Sequence, residues 1–176
     1  MGFELIPLCE EHVKQFKQDM QAAFQKGAVE EFGEMNEEIL PESHIDRSLM
    51  ANGARAYEAV LDGNVVGGAI VIIDDKKQHN HLDFLYVKVG EQSRGVGHKI
   101  WESIEQLHPE TKIWETCTPY FQKRNIHFYV NCCGFHIVEF FNKYHKDPNE
   151  TEDEFPDIKY FEGMFRFEKY MNSVVQ

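Results

Sequence analysis

The stretch from Leu82 to Gly97, Leu-Asp-Phe-Leu-Tyr-Val-Lys-Val-Gly-Glu-Gln-Ser-Arg-Gly-Val-Gly, holds the residues whose types and spacing could do chemistry. An apolar strand runs into a glycine-bearing turn and then into an amphipathic helix, and that order builds an anion site. The first N–H groups of a helix have no partner inside it, and the helix dipole adds partial positive charge there. A phosphate or pyrophosphate is therefore favoured at that point. Gly95 and Gly97 lack a Cβ and let an anion approach the backbone closely, while Gln92 and Arg94 offer side-chain donors.

The turn is not a nucleotide P-loop, because the lysine and the magnesium-binding hydroxyl of that motif are missing. It is not the dinucleotide fingerprint either, since Ile100 stands where the third glycine would be. The string Gln92-x-x-Gly95-x-Gly97, five residues after the strand valine Val87, resembles the phosphate loop of the GNAT family of N-acetyltransferases, which cradles the pyrophosphate of acetyl-coenzyme A. The resemblance implies a mixed α/β (α+β) fold: a central, mostly antiparallel sheet of six to seven strands with one splayed parallel pair, flanked by about four helices. It also implies cofactor contacts along the loop at Gln92, Ser93, Arg94, Gly95, Val96, Gly97 and His98. The strand backbone at Leu85, Val87 and Val89 would pair with the pantetheine arm, with the Leu85 amide as oxyanion donor. Asn125 is a further candidate contact to that arm.

With 176 residues, 42% of them hydrophobic and 27% charged, the chain suits one globular domain spanning residues 1–176. No window approaches the length of a membrane span, and the Met1-Gly-Phe-Glu-Leu-Ile start carries neither a signal peptide nor a myristoylation motif, so a cytoplasmic location is expected. The formal charge of −12 argues against nucleic-acid binding. It favours a cationic acceptor such as a primary amine by electrostatic steering. Cys9, Cys117, Cys132 and Cys133 show no C-x-x-C spacing and read as reduced, mostly buried thiols. His79-x-His81 is the best start of a metal site, but no third ligand presents itself and no metal is expected.

The elements that must position the loop follow from pattern. Phe3 to Leu8 reads as a strand; Val13, Phe16, Met20 and Phe24 recur at helical steps, with Lys26-Gly27 as the stop. Glu30 to Glu38 is an acidic loop, either a wall of the acceptor site, as the resemblance implies, or a solvated connector. A short helix follows Pro41. Ala54 to Leu61 and Val65 to Ile73 flank Asp62-Gly63-Asn64 as a hairpin, with Gly67 and Gly68 marking a bulge or a close approach. The loop strand spans His81 to Val89. The helix after it buries Val96, Ile100, Trp101, Ile104 and Leu107 and ends near Pro109. Then come a strand at Lys112 to Thr118, a helix from Pro119 to Cys132, a strand at His136 to Tyr144 and a last strand at Tyr160 to Tyr170.

Moving an acetyl group from a thioester to an amine needs an uncharged amine, stabilisation of the oxyanion and a proton for the leaving thiolate. In the histone-modifying branch of the family a glutamate base stands six residues before the strand valine, a position held by His81 here. His81, Asp83 on the same strand face and Glu115 are the candidate bases, with ordered water as the alternative. For the acid the resemblance points to Tyr129, in the helix before Gly134-Phe135, although four residues separate Tyr129 from Gly134 where the family has three. One extra residue turns a helical side chain by about 100°. Tyr120 is the reserve. The expected activity is acetyl transfer from acetyl-coenzyme A to a primary amine of a small molecule or peptide by direct attack, without an acetyl-cysteine intermediate. The alternative is a non-catalytic acyl-coenzyme A sensor. A homodimer is implied by resemblance alone.

Overall fold

The Asp62-Gly63 turn sets the first sheet. Both residues take positive φ, 50° and 84°, which is the twist that a two-residue hairpin requires. They join β2 (Ala54–Leu61) to β3 (Asn64–Ile72). The computed structural model describes residues 2–92, 94–149 and 163–171, and these divide into two compact units, one up to Thr111 and one from Lys112.

In the first unit β1 (Phe3–Pro7) pairs with β2 and β4 (His79–Val87) pairs with β3, all antiparallel, giving the order β1-β2-β3-β4. Three helices cover this sheet: α1 (Val13–Phe32), α2 (Glu42–Met50) and α3 (Val96–Leu107). Successive strand residues point to opposite faces, and Gly67 and Gly68 use both. A Cβ on Gly67 would lie 3.1 Å from Ile100 Cδ1 of α3, and one on Gly68 would lie 2.6 Å from the Phe16 ring of α1. The two glycines thus let helices close on both faces of β3. Phe16, Met20, Leu40, Ile45, Ile70 and Tyr86 form the core on the α1–α2 side, while Val96, Ile100, Trp101 and Ile104 bury one stripe of α3.

Several features differ from the sequence pattern, among them β6, expected to Tyr144, which ends at Phe141. α1 runs through Gly27 and ends at Gly33, whose φ of 84° and N–H bond to the Val29 carbonyl at 2.8 Å terminate it. Burial of Ala28 outweighs the local cost of a glycine inside the helix. The segment after it is tied back to α1: Gln25 donates to the Glu37 carbonyl at 2.9 Å and Gln21 to the Leu40 carbonyl at 3.0 Å. β4 begins at His79 and ends at Val87, so Val89, expected in the strand, lies beyond it and is exposed. Leu107, at the last turn of α3, is exposed rather than buried.

In the second unit β7 (Met164–Tyr170) lies between β5 (Ile113–Pro119) and β6 (His136–Phe141), antiparallel to both. Residues 160–162 of the expected last strand lie outside the described residues. Pro119 closes β5 opposite Met164 instead of opening a helix, and α4 starts at Lys123. α4 (Lys123–His127) passes into a π-helical turn at Phe128–Cys132, closed by the Cys133 N–H on the Phe128 carbonyl at 3.0 Å. Among the cysteines only Cys133 is buried; Cys9 and Cys132 are exposed and Cys117 is intermediate, because Cys9 precedes the first helical turn and Cys132 lies on the outer side of the π turn.

The end of α3 is pinned to β2 by Tyr57, whose hydroxyl lies 2.8 Å from His108 Nε2. Burial lowers the His108 pKa, so the folded state favours the neutral ring that can accept this bond. Its contribution to stability is complete above the ordinary histidine pKa of about 6.5 and is lost as the pH falls through the lowered folded value. Urea unfolding between pH 8 and 5 checks this: His108→Gln is expected to remove part of the stability lost on acidification, seen as a flatter profile than the wild type.

Candidate active site

α3 begins without a capping side chain. Its N-cap is Gly95, at φ 74°, which has no side chain to accept the N–H groups of the first turn. A Cβ added to Gly95 would meet nothing within 4 Å among the described residues. β4 delivers the chain to this point: Leu85 pairs with Ala69 and Val87 with Gly67, and the Lys88 N–H still bonds the Val66 carbonyl at 2.8 Å. An anion of phosphate size would meet backbone donors here, the chemistry that the sequence motif calls for.

The side chains of the loop divide unevenly. Val96 is buried, so its backbone alone faces the turn. Arg94 is directed to Glu91 at 2.9 Å and His98 lies 3.2 Å from Glu102, both exposed pairs on the outside. Gln92 accepts a bond from Lys26 Nζ at 2.7 Å. Ser93 is outside the described residues.

Upstream on β4 the register slips between Ile70 and Val71: Phe84 pairs with Ile70 and Leu82 with Val71, leaving Asp83 as the extra residue of a bulge. Bulges re-aim side chains. Here Asp83 Oδ1 lies 2.7 Å from His81 Nδ1, while Oδ2 accepts a bond from Ser48 Oγ of α2 at 2.6 Å. A carboxylate on Nδ1 fixes the tautomer that carries its proton there and its basic lone pair on Nε2. Sequence reading brought His81 and Asp83 together but missed Ser48, which comes from an element 35 residues away with no local signal.

In the second unit Glu115 of β5 lies 3.8 Å from Arg166 Nη1 of β7, and Arg166 also bonds Glu139 at 2.9 Å and Glu168 at 2.6 Å. Tyr129 is buried between Phe128, Phe135 and Phe167, and its hydroxyl is hydrogen-bonded to Thr116. Burial first, and the neighbouring Cys133 next, push its phenol well above the ordinary range, so it stays protonated. The π turn takes up the extra residue between Tyr129 and Gly134: the Phe135 N–H reaches the Tyr129 carbonyl at 2.9 Å. Tyr120, the reserve, is half exposed, and Asn125 Nδ2 donates to Thr118 Oγ1 at 3.3 Å.

A strand thus runs into a glycine-started helix in a chain of mixed α/β element order. The profile of the Acetyltransferase (GNAT) family matches residues 13–135. The uncharacterized Bacillus subtilis protein YrkN is 42% identical over 167 residues, covering 92% of this chain and 90% of its own length. The chain therefore belongs to the GNAT acetyltransferase family. Among solved structures, spermidine N-acetyltransferase from Vibrio cholerae, in complex with CoA and spermine, superposes with a TM-score of 0.69 at 11% identity, over 96% of this chain and 95% of that one. The paia N-acetyltransferase from Thermoplasma acidophilum, in complex with coenzyme A, gives 0.67 at 15% identity over 97% of this chain and all of that one, 100%. These likenesses show the fold: mixed α/β, with a mostly antiparallel sheet that includes one parallel pair.

Gly95→Val forces a branched side chain into a left-handed backbone, at a cost of about 1–3 kcal/mol, and fills the space before the helix donors. Isothermal titration with coenzyme A is expected to read at least a tenfold loss of affinity in a variant that circular dichroism finds folded.

Proposed function

We infer that this protein is an acetyl-coenzyme A-dependent N-acetyltransferase that moves the acetyl group to a primary amine of a small molecule or peptide by direct attack. The observation that carries this reading is the uncapped start of α3 behind Val87 and Gln92, with Gly95 opening it to an anion. Coenzyme A is held through its pyrophosphate at Gln92, Ser93, Arg94 and Gly95 to His98, and through its pantetheine arm at Leu85, Val87 and Asn125. Val89 contributes only its backbone, from beyond the strand. The two units act as one domain of 176 residues in the cytoplasm, and no helix of the described residues is long and apolar enough to cross a membrane.

His81 is the base, through Nε2, with Asp83 and Ser48 fixing its orientation; the acceptor ammonium gives up its proton before attack on the thioester carbonyl. The amide of Leu85 receives the developing oxyanion. Tyr129, whose raised pKa keeps its proton at neutral pH, donates to the departing thiolate. Glu115 is the second candidate base, weakened in that role by Arg166, which stands 3.8 Å from its carboxylate and engages it. A cationic amine is drawn by the chain's net charge of −12. One observation favours the sensing alternative: the Tyr129 hydroxyl is already engaged by Thr116 inside an aromatic cluster.

Titration with acetyl-coenzyme A, with ATP as control, followed by free-thiol release across polyamines, amino acids and peptides, tests the reading; binding without release on any amine would assign the sensing role. In an active pairing, His81→Gln is expected to lower kcat by roughly a hundredfold. Tyr129→Phe, which keeps the ring packing, is expected to lower kcat by a similar factor with KM little changed; a wild-type rate would transfer the acid role to Tyr120 or water.

A further inference from the structure

The phosphate loop has a cation that does not belong to it in sequence. Lys26, two turns from the end of α1, puts Nζ 2.7 Å from Gln92 Oε1, across 66 residues of chain. Arg94, the loop's own arginine, is turned outward onto Glu91 at 2.9 Å. Lys88, at the end of β4, faces Asp19 of α1 at 3.7 Å. Of these three cations, Lys26 alone is held at the loop by a neutral acceptor. Its carboxylate neighbour, Glu30, stands 3.7 Å away on the same helix with half of its side chain exposed. An amide oxygen fixes the position of an ammonium group without neutralising its charge. The same contact holds the Gln92 carbonyl toward α1 and so turns the amide N–H₂ away from it.

We propose that Lys26 is a coenzyme A-binding residue: α1 supplies the positive charge that neutralises the pyrophosphate at the start of α3, and orients Gln92 toward the same group. This rests on the acetyl-coenzyme A reading above. The backbone donors of α3 carry only partial charge, about half of a unit, whereas a pyrophosphate diester carries two negative charges, so one full cation at the loop answers a need that the helix end leaves open. Asp19 and Lys26 are seven residues apart and lie on one face of α1. The helix therefore grips both ends of the β4 to α3 connection, at Lys88 and at Gln92.

The test is the affinity for coenzyme A of Lys26→Met, Lys26→Arg and Lys14→Met, each measured by isothermal titration at several salt concentrations. Lys14 is an exposed lysine of the same helix and controls for net charge. Lys26→Met is expected to bind about tenfold more weakly, the size of one charge-assisted hydrogen bond, and with a shallower salt dependence. Lys26→Arg is expected to restore most of the affinity, and Lys14→Met to match the wild type. Wild-type affinity in Lys26→Met, or an equal loss in Lys14→Met, would overturn the assignment. Failure of the wild-type protein itself to bind coenzyme A would instead overturn the reading of the loop.

Discussion

The N–H groups in the first turn of α3 need an acceptor, and the N-cap residue, Gly95, has no side chain to provide one. Much of the first unit follows from that constraint. Gly95 takes a left-handed conformation so that the helix can start directly after the turn, and no side chain obstructs the donors. Burial of Val96, Ile100, Trp101 and Ile104 anchors the helix so that its open end keeps its aim. Gly67 permits α3 to sit close to β3, and Gly68 does the same for α1 on the other face. A helix end that would be a defect in a purely structural element is what the proposed cofactor site requires, and the elements around it hold it in place.

The second organising device is irregularity in the strand. The slip at Asp83 breaks the alternation of β4 and brings one carboxylate within reach of both His81 and Ser48. A regular strand would also have set residues 81 and 83 on one face. The bulge adds the contact to α2, so that a strand, a helix and an imidazole share one acid. Partly buried polar contacts of this kind specify geometry more than they stabilise it.

Local chemistry made much of this legible in the sequence. The Asp62-Gly63 pair required one turn type, the two apolar runs around it read as paired strands, and the glycine turn after Val87 carried the resemblance to the family's phosphate loop. What escaped the sequence was decided at a distance. Gly27 read as a helix stop, yet burial of Ala28 carried α1 six residues further, to Gly33. Pro119 suits the first turn of a helix and the end of a strand equally, and pairing with Met164 decided between them. Ser48 and Lys26 come to the site across 35 and 66 residues respectively, and nothing in their neighbours marks them. The placement of Leu85, His81 and Gln92 was visible because the motif is local; the partners that orient them were not, because they are tertiary.

The π turn at Phe128–Cys132 stores one residue more than an α-helix of the same rise would hold. An insertion absorbed in this way leaves both ends of the segment in register with their surroundings. When this chain is compared with relatives that have three residues between the tyrosine and the glycine, the gap therefore belongs inside the helix, within 128–132, and not in the loop that follows. An alignment that moves the gap into that loop would match the glycine of those relatives to Cys133, and one that moves it ahead of the segment would match their tyrosine to Val130, a side chain with no proton to give.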